Sequence, residues 1–261
     1  MSDKNINSKL LLDKKLVLVT GASKGLGAAI ASIAAREGAD VVITYHNNQT
    51  AAEEVKSNIL SMLQSDGRLD QNIYTYKLDV RDTKSIFTLA KEMKTAGLIP
   101  DILINNAGVS QVSQFPLISE EDYDYLMDTN IKGLFFATQA FVRGMISKKK
   151  GKIVNISSLA GVHLIKAPVH YSTSKAAIVG FTMALSKELG PFGITVNGVA
   201  PGLLDEGVGI NVPENNLKDF VKHNSLGRLG TCQEIAELVV FMASDRNSYM
   251  NGFTVLADGG V

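Results

Sequence analysis

A four-residue apolar run, Leu16-Val17-Leu18-Val19, leads directly into the glycine series Gly21-x-x-x-Gly25-x-Gly27. A short continuous run of this kind suits a strand covered on both faces. Glycines in such a turn permit a tight bend and let backbone approach a pyrophosphate. The segment that follows carries Leu26, Ile30, Ile33 and Ala34 on one helical face, with its N-terminus aimed at the phosphates. Asp40-Val41-Val42-Ile43-Thr44 then reads as a second strand. A glycine triplet alone is compatible with an ordinary strand–helix turn. Followed at once by a strand, it reads as the opening of a βαβ unit.

The same alternation continues down the chain. Strands are predicted at 73–78, 102–104, 152–158, 194–199 and 253–256. Helices are predicted at 50–66, 83–96, 120–146, 171–189 and 232–243. Residues 1–13 read as a loose tail, 14–261 as one domain, and 203–225, the least regular stretch, as a lid carried on a rigid sheet. At 261 residues the chain is long enough for one large α/β core. Lys+Arg and Asp+Glu balance at 26 each, without the basic excess of a general nucleic-acid binder. Cys232 is the only cysteine, so an internal disulfide or a cysteine-based metal cluster is excluded. The first nine residues are polar and no apolar stretch approaches a membrane span, so a soluble, cytoplasmic protein is expected.

Tyr171 and Lys175 stand four apart, one turn apart on a helix face. An ammonium beside a phenol lowers the phenol pKa and readies it for proton exchange near neutral pH. On its own the pair is a weak signal and fits better an ordinary helix with a half-buried Tyr and a solvated Lys. Ser158 lies thirteen residues before Tyr171, at the end of the predicted fifth strand, with Ser157 as the competing candidate. Ligands of open parallel sheets bind at that end.

Together with Thr20-Gly21-Ala22-Ser23-Lys24-Gly25-Leu26-Gly27 and Asn105-Asn106-Ala107-Gly108, these residues make the chain resemble the short-chain dehydrogenase/reductases. The resemblance runs from about Lys15 to the C-terminus and is greatest to the 3-oxoacyl-[acyl-carrier-protein] reductases. It implies a Rossmann-type doubly wound parallel sheet of about seven strands with helices on both faces. It implies a catalytic set of Asn130, Ser158, Tyr171 and Lys175, with Asn130 holding a water that links Lys175 to solvent. It also implies a dinucleotide held by Gly21, Ser23, Lys24, Gly25, Leu26 and Gly27. The ends of the later strands would complete the site through Tyr45, His46, Asn47, Asp79, Val80, Asn106, Ala107, Gly108, Tyr171, Lys175, Pro201, Gly202 and Leu204.

No acid closes the second strand, where Tyr45-His46-Asn47-Asn48 stands instead. A carboxylate there would bind a ribose 2′-hydroxyl and repel a 2′-phosphate. Its absence, with Lys24 in the glycine loop, favours NADPH/NADP+ over NAD. Nothing in the motifs calls for a metal.

The family reading expects reduction of a 3-oxoacyl thioester in fatty-acid or polyketide synthesis. Its partner would be an acyl carrier protein, and its assembly a homodimer or homotetramer built by residues 232–243 and 253–256. Lys148-Lys149-Lys150 is either a helix-end charge run suited to the dipole or part of a carrier-docking site. Pro191-Phe192-Gly193 stands where the resembled reductases have a second basic residue. Leu203-Leu204-Asp205-Glu206-Gly207 stands where they have a Thr after Pro-Gly, and two acids are unexpected beside a pyrophosphate. The alternatives are an NADP-dependent alcohol, sugar or small-carbonyl dehydrogenase and a non-catalytic dinucleotide sensor.

Overall fold

A computed structural model describes residues 10–261 except 69, 164–165, 208–211 and 213. The first strand, β1 (Leu16–Val19), is buried along its whole length. It pairs in parallel with β2 (Asp40–Tyr45) on one side and β4 (Ile102–Asn105) on the other. β3 (Ile73–Lys77), β5 (Gly151–Ile156), β6 (Ile194–Pro201) and β7 (Thr254–Ala257) complete one parallel sheet of seven strands, in the order β3-β2-β1-β4-β5-β6-β7. The order reverses at β1, and the crevice outside the carboxyl ends of β1 and β4 is where such a sheet takes ligands. The expected fold class is thus the observed one.

Side-chain alternation along β1 builds a core on each face. Val17 and Val19 join the apolar layer under α1 (Gly25–Arg36), α2 (Gln49–Ser65) and α8 (Cys232–Ala243). Leu16 and Leu18 point the other way, into the layer under α3 (Thr83–Thr95) and α5 (Gly133–Lys148). Two further helices stand on the site side, α4 (Glu120–Met127) and α6 (Val169–Leu189), and α7 (Glu214–His223) lies within the expected lid. The rest of that lid falls partly outside the described residues.

Three expectations change. Leu12 is buried and its N–H donates to the Glu37 carbonyl at 2.9 Å, so residues 10–13 are anchored; residues 1–9 lie outside the described part. The helix expected over 120–146 is two helices joined by a π-helical turn, Asp128–Lys132, because Gly133 must sit against Val80, where a Cβ would stand 2.8 Å from the Val80 Cβ. β5 ends at Ile156, two residues short of Ser158.

Candidate active site

The glycine loop is shaped by contacts that a side chain would block. Gly21 has φ +65°, and a Cβ on it would lie 2.9 Å from Ala107 Cα. Gly27 packs so closely that a Cβ would meet Asn106 Nδ2 and the Gly21 carbonyl, both at 2.5 Å. Gly25, at φ +53°, would meet only Gly207, at 3.4 Å, which leaves the first turn of α1 open above the loop. Lys24 stands at its N-cap in extended backbone, and no side chain caps that end. A helix N-terminus with free amides and a close glycine turn fits a dinucleotide pyrophosphate.

Thr20 and Asn106 hold the loop to β4. Thr20 Oγ1 accepts from the Asn106 and Ala107 amides, each at 3.0 Å. Asn106 Nδ2 donates to the carbonyls of Thr20 and Gly21, each at 3.0 Å. The Asn106 amide group therefore braces the cradle. Gly21 N–H donates to Thr44 Oγ1 at 3.2 Å, which ties the same loop to β2.

At the far end of the crevice, His46 and Asn47 are exposed after β2, while Tyr45 and Val80 are core side chains. Asp79 is not alone. Arg81 donates to it three times, backbone N–H and Nε to Oδ1, each at 3.0 Å, and Nη2 to Oδ2 at 2.8 Å, and His46 Nε2 lies 3.1 Å from Oδ2. The Arg81 guanidinium first of all, with burial opposing it, holds the Asp79 carboxyl down at about 2. Arg81 also lies over the Tyr125 ring, 5.3 Å from its centroid. Sequence reasoning looked for a cation after β2 and missed this one, because it comes from the loop after β3. Its register was readable, since β3 is β2's neighbour.

The four expected catalytic residues converge at the carboxyl ends of β4 and β5. Lys175 is 6% exposed, and its Nζ donates to the Ile156 carbonyl at 3.1 Å and lies 5.7 Å from the Tyr171 ring centroid. A Cβ on Gly108 would meet Asn130 Oδ1 at 3.3 Å and Lys175 Nζ at 3.4 Å, so all three groups crowd one point. Ser158 caps a short 3-10 turn, Oγ accepting from the Ala160 amide at 3.2 Å, and its hydroxyl is near enough to the Tyr171 phenol to act on it. Ser157, the competing candidate, is committed elsewhere: it is buried, and its Oγ donates to the Lys175 carbonyl at 2.7 Å.

The electrostatics differ from expectation. Burial raises the Tyr171 pKa above its usual value, with the Ser158 hydrogen bond opposing the rise. Burial also drops Lys175 to about 8. Desolvation of both groups thus outweighs the expected lowering of the phenol by the ammonium. Asn130 is held in place by three hydrogen bonds. Its Oδ1 accepts from Val109 N at 2.8 Å, and its Nδ2 donates to the Val109 carbonyl at 2.9 Å and to Ser174 Oγ at 3.0 Å. Both Nδ2 hydrogens are used, while Oδ1 keeps one lone pair free to accept.

The remaining cofactor-side residues edge the same crevice. Pro201 ends β6, Gly202 N–H bonds the Ala257 carbonyl at 2.9 Å, and Leu204 forms a bridge with Gly230. Ser23 and Leu26 flank the glycine turn, with Leu26 packed on the first core layer. Asp205 and Glu206 are both exposed and close enough to Cys232, at the start of α8, to help burial raise its thiol pKa to about 11, and Glu206 also lines a cavity with Gly25 of the glycine loop. They lie at the N-terminal end of α8, where negative charge suits the helix dipole. The Lys148-Lys149-Lys150 run lies away from the site. It precedes β5, whereas the site lies at the end of that strand, about 20 Å on. Lys148 is tied to Asp101 at 2.9 Å and Lys150 to Asp245 at 3.2 Å.

A family model described as enoyl-(acyl carrier protein) reductase matches residues 21–261. The chain belongs to the short-chain dehydrogenase/reductase family. It is 35% identical to a 3-oxoacyl-[acyl-carrier-protein] reductase FabG of Thermotoga maritima over 96% of this chain and 98% of that protein. It is 36% identical to the oxidoreductase UcpA of Salmonella typhimurium, covering 95% of each. Among solved structures, a 3-oxoacyl-[acyl-carrier protein] reductase from Brucella melitensis superimposes with a TM-score of 0.87 at 29% identity, covering 100% of this chain and 98% of that one. A short-chain dehydrogenase/reductase from Serratia marcescens gives the same TM-score at 30% identity, covering 96% and 98%. Among the described residues, no cluster of three or more His, Cys, Asp or Glu is arranged to hold a metal, and no helix is long and apolar enough to cross a membrane.

Proposed function

We propose that this short-chain dehydrogenase/reductase is an NADPH-dependent ketoreductase that converts a 3-oxoacyl thioester to its 3-hydroxyacyl product. The carrying observation is the convergence of Ser158, Tyr171, Lys175 and the Asn130–Gly108 contact at the carboxyl ends of β4 and β5. When bound, the dinucleotide supplies a hydride to the carbonyl carbon. Ser158, whose oxygen already accepts an amide, directs its proton at the carbonyl oxygen, where negative charge grows. Tyr171, its pKa raised, stays a protonated phenol and gives that oxygen its proton. Lys175 has given one of its three N–H donors to Ile156, which leaves two for ribose hydroxyls. Asn130 would position the water that refills the proton path, the role the family resemblance implies for it.

Two observations support the finer reading. The rim of the crevice is apolar: Val112, Phe115 and Leu117 after β4, and Val162 and Val169 around the loop after β5, are all exposed. That surface suits an acyl chain better than a sugar. Arg81, paired with Asp79 at the end of β3, offers a cation to a 2′-phosphate, and Lys24 stands in the glycine loop, while Asp82, Asp124 and Asp128 line the same cavity as Arg81. The carrier protein, the assembly into dimers or tetramers and a place in fatty-acid or polyketide synthesis follow from the same reading. A dehydrogenase of small carbonyl compounds would use the identical residues, and the UcpA relative keeps that second reading in view.

The test is NADPH oxidation by purified protein with a short 3-oxoacyl thioester, run beside NADH and Tyr171→Phe protein. Rapid turnover with NADPH alone, abolished in the variant, supports the reading. Binding of NADPH without thioester turnover would move the substrate to a small carbonyl compound. Turnover that survives in Tyr171→Phe would reject the mechanism.

A further inference from the structure

A rung running from Ser174 through Asn130 to Val109 connects α6 to the loop that follows β4. His170 precedes Ser174 by four residues, so it lies one turn along the same helix face. It is 3% exposed, and neither ring nitrogen has a hydrogen-bond partner among the described residues. The charged group acting on it is Asp122 of α4, while burial keeps the imidazole neutral by lowering its pKa. Asp122 accepts from Gln111 Nε2 at 3.0 Å and from Ser119 Oγ at 2.9 Å, which pins both ends of the loop. The Gln111 carbonyl oxygen is also buried and without a partner. A neutral imidazole has one N–H to give, and an amide carbonyl accepts. Donor and acceptor thus gather around one carboxylate without meeting, an arrangement costlier than an apolar residue of equal size.

We propose that His170 is a positioning residue, whose imidazole N–H bonds the Gln111 carbonyl as loop 109–119 seats over the substrate. The closed pair adds a second rung between α6 and the loop. Seating the loop brings Val112, Phe115 and Leu117 against the acyl chain. This inference rests on the ketoreductase reading above.

The test compares His170→Phe, His170→Asn and Gln111→Met with wild type. His170→Phe keeps the ring and removes both nitrogens. Its melting temperature should hold or rise, because a costly buried group is gone. Its KM for a short 3-oxoacyl thioester should rise about tenfold with kcat changed less, the scale of one lost hydrogen bond. Its NADPH affinity should not change. His170→Asn, which retains a donor, should recover most of the KM. Gln111→Met should reproduce the rise and add nothing to His170→Phe. A KM in His170→Phe within about twofold of wild type overturns the proposal. So does a KM rise that tracks a lowered melting temperature and is not recovered by Asn. Absence of thioester turnover in wild type would instead defeat the ketoreductase reading. Amide exchange across residues 109–119 then decides by itself: faster exchange in His170→Phe supports the rung, and unchanged exchange overturns it.

Discussion

Lys175 holds an ammonium group where water scarcely reaches. Its fall from 10.5 to about 8 at 1.36 kcal/mol per unit amounts to about 3 kcal/mol of destabilisation when the group is charged. The sign follows from proton counting. Between about pH 8 and 10.5 the unfolded chain binds more protons at this residue than the folded one, so its contribution to stability improves as pH rises through that window. Below about 8 the full penalty is present. Lys175→Met should therefore be inactive yet more stable at pH 7, by up to about 3 kcal/mol less the lost Ile156 bond, and the gain should shrink by pH 9. Urea midpoints at the two pH values check this; a lower midpoint for the variant at pH 7 would refute it. The rate should respond at the same residue. Thioester reduction, as kcat/KM with NADPH, should decline above about pH 8 as Lys175 loses its proton, while the raised Tyr171 remains a phenol. A rate flat to pH 10 would exclude Lys175 as the titrating group. The spacing of Tyr171 and Lys175 was plain in the sequence. The sign of the Tyr171 shift was not, because it turns on burial by segments far away in the chain.

The π turn shows the same limit one level up. Residues 120–146 carry an unbroken helical pattern, and no propensity distinguishes Asp128–Lys132 from the turns around it. Its cause is tertiary: Gly133 fits against Val80, and Asn130 turns inward to clasp Val109 and Ser174. Asn130→Ala would strip three hydrogen bonds and leave the half-buried Val109 N–H and carbonyl unsatisfied, a loss of about 2–4 kcal/mol. The expected result is a lower urea midpoint together with a large fall in turnover. A variant of wild-type stability would show that the π turn is held by packing alone. Other elements were legible almost to the residue. β1 came from a four-residue apolar run, and α8 from Thr231 followed by Glu234, whose capping box is present. Both depend on neighbouring residues, which is the information a sequence displays. The exposure of Asp205 and Glu206 depends on the start of α8, some thirty residues on, so the sequence left two readings open, turned outward or bearing on a polar substrate.

For the whole molecule the decisive fact is polarity: seven parallel strands place all their carboxyl ends on one side, and the site with them. The βα alternation made that polarity readable, but it did not locate individual charges relative to it. Lys148-Lys149-Lys150, a plausible docking run in one dimension, lies at the amino end of β5, about 20 Å from Ser158. Lys166 lies on the opposite side, exposed in the loop between β5 and α6 that also flanks Ser158. An acidic carrier delivering a thioester must approach the carboxyl side, where complementary charge governs encounter more than intrinsic fit. Lys166→Glu should then raise KM for a carrier-linked 3-oxoacyl substrate severalfold and leave KM for a short free thioester unaltered. Lys149→Glu, which reverses an exposed charge without breaking either ion pair of its neighbours, should change neither. The effect at Lys166 should fade with added salt, since charges at this distance in water are screened over about 10 Å. Equal sensitivity at the two lysines, or a Lys149 effect alone, would show that a carrier engages the amino end, and the approach across the carboxyl side would have to be abandoned.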